Sequence, residues 1–137
     1  MNQKAQKLKM TKTHFSNPHG LDQAKHYSCC DDMLVISKVA MKMEMVRKVV
    51  MTPSYKGILK YYREGKTIYK PAYWRNTQKL LGKMGVIGIK TGVTPKAGGC
   101  LSTCFKNNEG EERIIIVLGC ASTEQRFTDT EMIMRWG

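Results

Sequence analysis

The residues of this chain best placed to do chemistry are Lys90, Thr91 and Gly92, which follow directly on the short apolar run Val86-Ile87-Gly88-Ile89. At the end of what reads as a strand they offer a positive charge, a hydroxyl and a gap in side-chain bulk. Such a set can favour deprotonated neighbours and admit another chain close to the backbone. Taken alone, a lysine and a threonine there are ordinary solvated surface. Two further side chains stand out. His19 lies in Asn17-Pro18-His19-Gly20, where a histidine beside a proline is not general-base chemistry by itself, and Arg126 lies in a C-terminal helical pattern, where an arginine is otherwise surface. The 5 cysteines, an odd number, suggest a reducing environment or a free thiol. Zinc is the sharper reading and it fails on spacing. Cys100 and Cys104 fall in a predicted strand, where four residues span about 13 Å, and Cys29-Cys30 lack a spacer. The cysteines read as small buried hydrophobes, and no metal or cofactor is implied.

The elements that must position these residues follow from periodicity. Asn2 to Met10 has helical spacing, with Ala5 and Leu8 on one face. Thr11 to Tyr27 contains a turn cluster that cannot continue a helix and reads as a long ordered loop, of the kind that is often functional. Ser28 ahead of Asp31 and Asp32 predicts an N-cap and a helix starting at Cys29, with a methionine-rich core stripe through Met33, Ile36, Val39, Ala40 and Met43. A further helical stretch takes in Glu44 to Val50 before Pro53 stops it. From Ser54 to Leu81, aromatic and β-branched residues broken by Glu64-Gly65-Lys66 predict a hairpin. Val86 to Thr91 is a short strand, and Gly99 to Lys106 with Arg113 to Ala121 forms the clearest hairpin, in which Ile114-Ile115-Ile116-Val117-Leu118 is expected to be a central buried strand. Thr123 to Trp136 reads as a helix with Phe127, Met132, Ile133 and Trp136 inward. Helices, then strands, then a closing helix argue for an α+β fold with an antiparallel sheet.

Composition narrows the class. A length of 137 residues with 42% apolar content suits one compact domain, residues 1–137, without internal repeats. The longest uncharged apolar stretch, Ile114 to Ala121, is far short of the roughly 20 residues needed to cross a bilayer, so no transmembrane segment is expected. A charge of +12 favours anionic partners such as nucleic acid, acidic membrane surfaces or anionic cell-wall polymers. The basic residues are dispersed and carry no RNA-binding or zinc-finger signature, so no specific nucleic acid is expected. Met1-Asn2-Gln3-Lys4 is not followed by an apolar stretch, so it is not a secretory signal peptide.

Lys-Thr-Gly after a strand is one of three signatures of penicillin-binding proteins and their relatives. The chain resembles the low-molecular-weight penicillin-binding proteins, the serine-type D-alanyl-D-alanine carboxypeptidases, in several further places and in matching order. These are Met10-Thr11-Lys12-Thr13-His14-Phe15, Asn17-Pro18-His19-Gly20-Leu21-Asp22, Tyr27-Ser28, Asp32-Met33, Asn76, Leu80-Leu81, Gly88 to Gly92, Thr94, Ala97-Gly98-Gly99, Val117-Leu118-Gly119 and Trp136-Gly137. The resemblance implies a partial penicillin-binding-protein/β-lactamase-like fold whose strand at Lys90 borders a cleft and pairs with substrate. It implies that Lys90 assists proton movement between nucleophile and leaving amine, that the Thr91 hydroxyl binds the substrate's terminal carboxylate, and that Gly92 allows close approach. By the same resemblance the Val93 N–H supplies half of an oxyanion hole, and Arg126 neutralises the carboxylate of a terminal D-alanine. His19 and Gly20 either line the cleft or complete a turn. The implied partners are peptidoglycan stem peptides or a β-lactam, and family members work outside the cytoplasm.

The other two signatures, Ser-x-x-Lys for the nucleophile with its base and Ser-x-Asn, occur at none of Ser16, Ser28, Ser37, Ser54, Ser102 and Ser122. Both precede the matched segment in the family, so the chain is expected to be the C-terminal half of a catalytic domain, lacking N-terminal strands and the nucleophile helix, with a face left uncovered and inactive alone. It would be a fragment of a longer product, a decayed gene, or a piece needing a partner such as the missing N-terminal half. Cys29-Cys30, where exported members usually have small residues, hint at a lineage not selected for an oxidising compartment. Two functions follow: a carboxypeptidase removing terminal D-alanine through an acyl-enzyme, or a non-catalytic basic binding module of the same descent.

Overall fold

The computed structural model describes residues 1–136; Gly137, the last residue of the Trp136-Gly137 resemblance, lies outside the described residues. The first helix, α1 (Asn2–Lys7), is shorter than its periodicity predicts. Lys9 takes a left-handed φ of 58°, which stops the helix, and the Met10 and Lys9 N–H groups then return to the carbonyls of Ala5 and Gln6 at 3.0 and 2.9 Å, a Schellman ending that buries Met10 beside Ala5.

The loop from Thr11 to Tyr27 is ordered by side chains. Asn2 brackets the Phe15 backbone with hydrogen bonds of 2.8 and 2.9 Å, and His14 and Tyr27 exchange two backbone bonds of 3.0 Å that close its base. Helix α2 (Cys30–Met41) starts one residue later than expected and its N-cap, Cys29, makes no side-chain cap. Ser28 instead bonds Thr13 at 2.7 Å, and the buried Asp32 carboxylate accepts from the Lys12 N–H at 2.8 Å and the Thr13 hydroxyl at 2.6 Å. Ser28 ahead of the helix and Asp32 in its first turn thus serve the loop, where the Asp32 carboxylate finds two donors.

Helix α3 (Glu44–Met51) follows, then the ribbon β1 (Ser54–Arg63) and β2 (Lys66–Arg75), closed by Glu64 and Gly65, both at positive φ, the two-residue turn that suits strand twist. The second sheet is antiparallel in the order β3 (Val86–Thr94), β4 (Gly98–Lys106), β5 (Glu112–Cys120), and α4 (Gln125–Met134) closes the chain. The fold is α+β with two antiparallel sheets and flanking helices. Among the described residues no helix is long and apolar enough to cross a membrane.

Two faces of the second sheet are covered unequally. Leu101, Phe105 and Val86 pack with Leu80, Phe127 and Met134 into a buried core under α4, and Gln78 donates to the fully buried Thr103 hydroxyl at 3.1 Å. On the opposite face Ser37 of α2 meets Ser102 at 2.8 Å, but Met33, Ile36, Ile114 and Ile116 are only half-buried and Met43 is exposed. This corrects the methionine stripe, whose far end leaves the packed face.

Two other expectations are overturned. β5 lies at an edge and β4 is central, so the all-apolar run Ile114–Val117 reflects helices on both faces rather than strands on both sides. In α4 the buried face is Arg126, Phe127, Thr130 and Met134, whereas Met132 and Ile133 turn outward and Trp136 is 80% exposed. Helical spacing from Phe127 selects Thr130 and Met134 and places Met132 on the far side.

Candidate active site

β3 is the other edge of the sheet, so Lys90-Thr91-Gly92 stands on a strand with one flank free among the described residues. A groove of about 590 Å³ lies along it. Lys90, Thr91, Gly92, Val93 and Thr94 form one wall with Thr77 and Arg126, and Pro18, His19, Gly20 and Leu21 form the other. The sequence-predicted residues Lys90, Thr91, Gly92, Val93, Arg126, His19 and Gly20 are thus brought into one groove from three separate parts of the chain.

Each is positioned by identifiable contacts. Lys90 is exposed and its ammonium donates to the Thr91 carbonyl. Thr91 is 7% exposed, and its hydroxyl shares a 2.7 Å hydrogen bond with that of Thr77. The opposite wall is built by Asn17, whose side chain accepts from the Gly20 N–H at 2.8 Å and donates to the Leu21 carbonyl at 2.9 Å and to Gln23 at 3.0 Å. Gly20 has φ +80° with open space where a Cβ would stand, so the turn needs glycine for its conformation alone. His19 accepts from the Leu21 N–H at 3.2 Å, so it completes this turn and also faces the groove. Asp22 then locks the loop to the strand, accepting from the Thr94 hydroxyl at 2.6 Å and the Lys96 N–H at 3.2 Å.

Arg126 comes from the first turn of α4, beneath β3. It is 7% exposed, its guanidinium lies 4.8 Å from the Phe127 ring centroid, and one terminal nitrogen donates to the Gly92 carbonyl at 2.6 Å and the Cys100 carbonyl at 3.5 Å. Its Nε, buried, has no partner among the described residues. A charge held this way keeps a positive field at the groove floor with few ways to rotate away. Gly99 makes the approach possible: a Cβ there would stand 2.5 Å from the Ser122 carbonyl, so only glycine lets the segment leading into α4 cross the start of β4.

Sequence reasoning missed Thr77, whose contact with Thr91 spans 14 residues and leaves no local signal. Asp22 was visible as part of the loop motif but not as the tie to Thr94. The arrangement presents an ammonium, a guanidinium, backbone on an open strand and a close-fitting loop, which is suited to hold an extended chain ending in a carboxylate.

Comparison with known proteins agrees with this geometry. The family model described as D-alanyl-D-alanine carboxypeptidase matches residues 1–122. The chain is 37% identical over 137 residues to the D-alanyl-D-alanine carboxypeptidase DacF of Bacillus subtilis, covering 97% of this chain and 33% of that protein. It is 34% identical to the D-alanyl-D-alanine carboxypeptidase of a Streptomyces strain, covering 100% of this chain and 46% of that one. The crystal structure of the DD-transpeptidase of that strain superposes with a TM-score of 0.87 at 32% identity, over 98% of this chain and 51% of that chain. A Listeria monocytogenes penicillin-binding protein in a cefotaxime-bound form superposes at 0.77 and 32% identity, over 98% of this chain and 51% of that one. The chain spans between a third and about half of the length of these relatives. With the family model covering residues 1–122 and the Lys-Thr-Gly strand, the loop and Arg126 in one groove, this chain belongs to the D-alanyl-D-alanine carboxypeptidase family.

Proposed function

We propose that residues 1–137 are the C-terminal portion of a serine-type D-Ala-D-Ala carboxypeptidase catalytic domain and furnish the substrate-binding wall of its active site. The observation that carries this is the groove between the free edge of β3 and the His19-Gly20 turn, floored by Arg126. A stem peptide would lie along β3 as an added strand, its terminal carboxylate met by the Thr91 hydroxyl and the Arg126 charge. Lys90 would favour the deprotonated forms of the reacting groups and help carry the proton from nucleophile to leaving amine, and the Val93 N–H would stabilise the oxyanion.

The attacking serine is not among these residues, since no serine here has a lysine three positions on. Removing the nucleophile from such a set leaves only residual assistance from positioning. In this reading a segment carrying Ser-x-x-Lys and Ser-x-Asn completes the cleft, forms the acyl-enzyme, and lies against the open flank of β5 and the half-covered face behind Lys90. Its place of work is the cell envelope. A β-lactam would occupy the same groove.

Labelling with a fluorescent penicillin tests this. The 137-residue chain should take up no label, and a protein that joins it to an intact Ser-x-x-Lys half should be labelled covalently. Failure of the joined protein to label, with that motif intact, would overturn the reading in favour of a non-catalytic basic module that keeps the carboxylate-recognising strand.

A further inference from the structure

The ribbon β1–β2 is set apart from both cores. Among the described residues no other strand or helix packs along it, and at its root Val49 of α3, with Thr52 and Asn76, lines an apolar pocket of about 520 Å³ together with Tyr55 and Trp74. Strands of this length reach about 30 Å. Its composition is unlike that of the rest of the chain. It holds five of the 6 tyrosines and one of the 2 tryptophans but none of the 3 phenylalanines, and it sets Lys56, Lys60, Arg63, Lys66, Lys70 and Arg75 against a single acid, Glu64. Register puts Tyr55, Tyr61 and Trp74 on one face and Tyr62, Tyr69 and Tyr73 on the other, all exposed. Gly57 is what lets the Tyr55 and Trp74 rings, 5.9 Å apart, close over the strand: a Cβ there would stand 2.9 Å from the Tyr55 ring.

Exposed aromatics in this number mark a binding surface. Its charge decides against several occupants. A second copy would bring an equally cationic ribbon, which repels. A bilayer would be met by one face or by the tip, whereas the rings lie on both faces and the tip is Arg63-Glu64-Gly65-Lys66. We infer that the ribbon is a docking arm for a linear phosphate-linked sugar polymer of the cell wall, whose sugar faces lie on the Tyr and Trp rings and whose phosphates, one negative charge in each repeat, meet the lysines and arginines. Tyrosine suits such a partner better than phenylalanine, because its hydroxyl can bond the sugar's own. The inference rests on the envelope-directed reading above: the ribbon would hold the polymer while the Lys90 groove receives the peptide.

Co-sedimentation of the chain with insoluble peptidoglycan sacculi, retaining or stripped of their phosphate-linked sugar polymers, tests it. Binding is expected to the sacculi that retain these polymers, to weaken at raised salt, and to fall at least about tenfold with Tyr55→Ala plus Trp74→Ala or with Lys56→Glu, Lys60→Glu and Lys70→Glu combined. Loss on stripping supports the inference, and undiminished binding to stripped sacculi assigns the bare glycan instead and overturns it. Binding to neither preparation overturns the inference. So does binding indifferent to these exposed substitutions, or equal or tighter binding to an oligothymidylate or to phosphatidylglycerol vesicles. The same variants, joined to a Ser-x-x-Lys half, should label with penicillin as before, so failure of the arm and failure of the proposed catalysis are read separately.

Discussion

The Asp22 carboxylate accepts a 2.6 Å hydrogen bond from the Thr94 hydroxyl, 72 residues away, and through it the loop that carries His19 is fastened to the strand that carries Lys90. The second carboxylate oxygen takes the Lys96 N–H at 3.2 Å, so one exposed side chain fixes the width of the groove.

Asp22→Ala should therefore loosen the loop with little loss of global stability, about 1 kcal/mol for exposed charge-assisted bonds. Limited proteolysis should cut between Thr11 and Tyr27 at least several-fold faster, while the melting temperature moves by a few degrees. In a protein completed with a nucleophile, penicillin acylation should slow. Unchanged cleavage would show that the Asn17 turn holds the loop unaided.

Arg126→Leu should cost about 2 kcal/mol in denaturant unfolding, because the Gly92 carbonyl loses its donor and the contact with Phe127 changes. Arg126→Lys should recover part of that loss, since an ammonium can reach one carbonyl but does not stack as a planar group does. A midpoint identical to the wild type would mean that the guanidinium is not integral to the floor of the groove.

Cys104 is 1% exposed, and burial, with Glu112 adding to it, pushes its thiol up to about 11 from 9.0. As pH rises past 9 the unfolded chain gives up this proton while the folded chain keeps it, so stability falls between about pH 9 and 11, by about 2 kcal/mol at the upper end. Cys104→Val should remove that part of the alkaline loss, measured as the difference between the two proteins' unfolding free energies across the range. In the folded chain Cys104 should also react with a thiol reagent far more slowly than exposed Cys30.

Arg47 on α3 pairs with Glu112 on β5, and this hydrogen bond holds the Glu112 carboxyl below its usual range. The stabilisation is present above pH 4.5 and lost as pH falls through the lowered value. Both side chains are about a third exposed, so Glu112→Gln should cost under about 1 kcal/mol at neutral pH, less in high salt, and should shrink the acid-limb difference towards zero.

The loop, the Lys-Thr-Gly strand and the Glu64-Gly65 turn were legible because each is encoded locally, by turn residues or by period-two patterning. The β1–β2 ribbon was legible as a hairpin, yet its exposure was not, because Tyr and Ile in alternation read alike whether a face is packed or free. Ile114–Val117 misled in the opposite sense: an apolar run reports cover on two faces and is silent on how many strands flank it. Helix phase in α4 slipped because large apolar side chains at Met132 and Ile133 outweighed the small buried Thr130. The Thr77–Thr91 and Asp22–Thr94 bonds had no sequence signature, since each joins segments that only the fold brings together.

β5 offers its outer row of amide and carbonyl groups over nine residues, and between Ile114 and Val117 no charge interrupts it. Such a row is a template for copying. In concentrated solution it would recruit the like strand of a neighbouring molecule and join two sheets edge to edge unless something else is laid along it first.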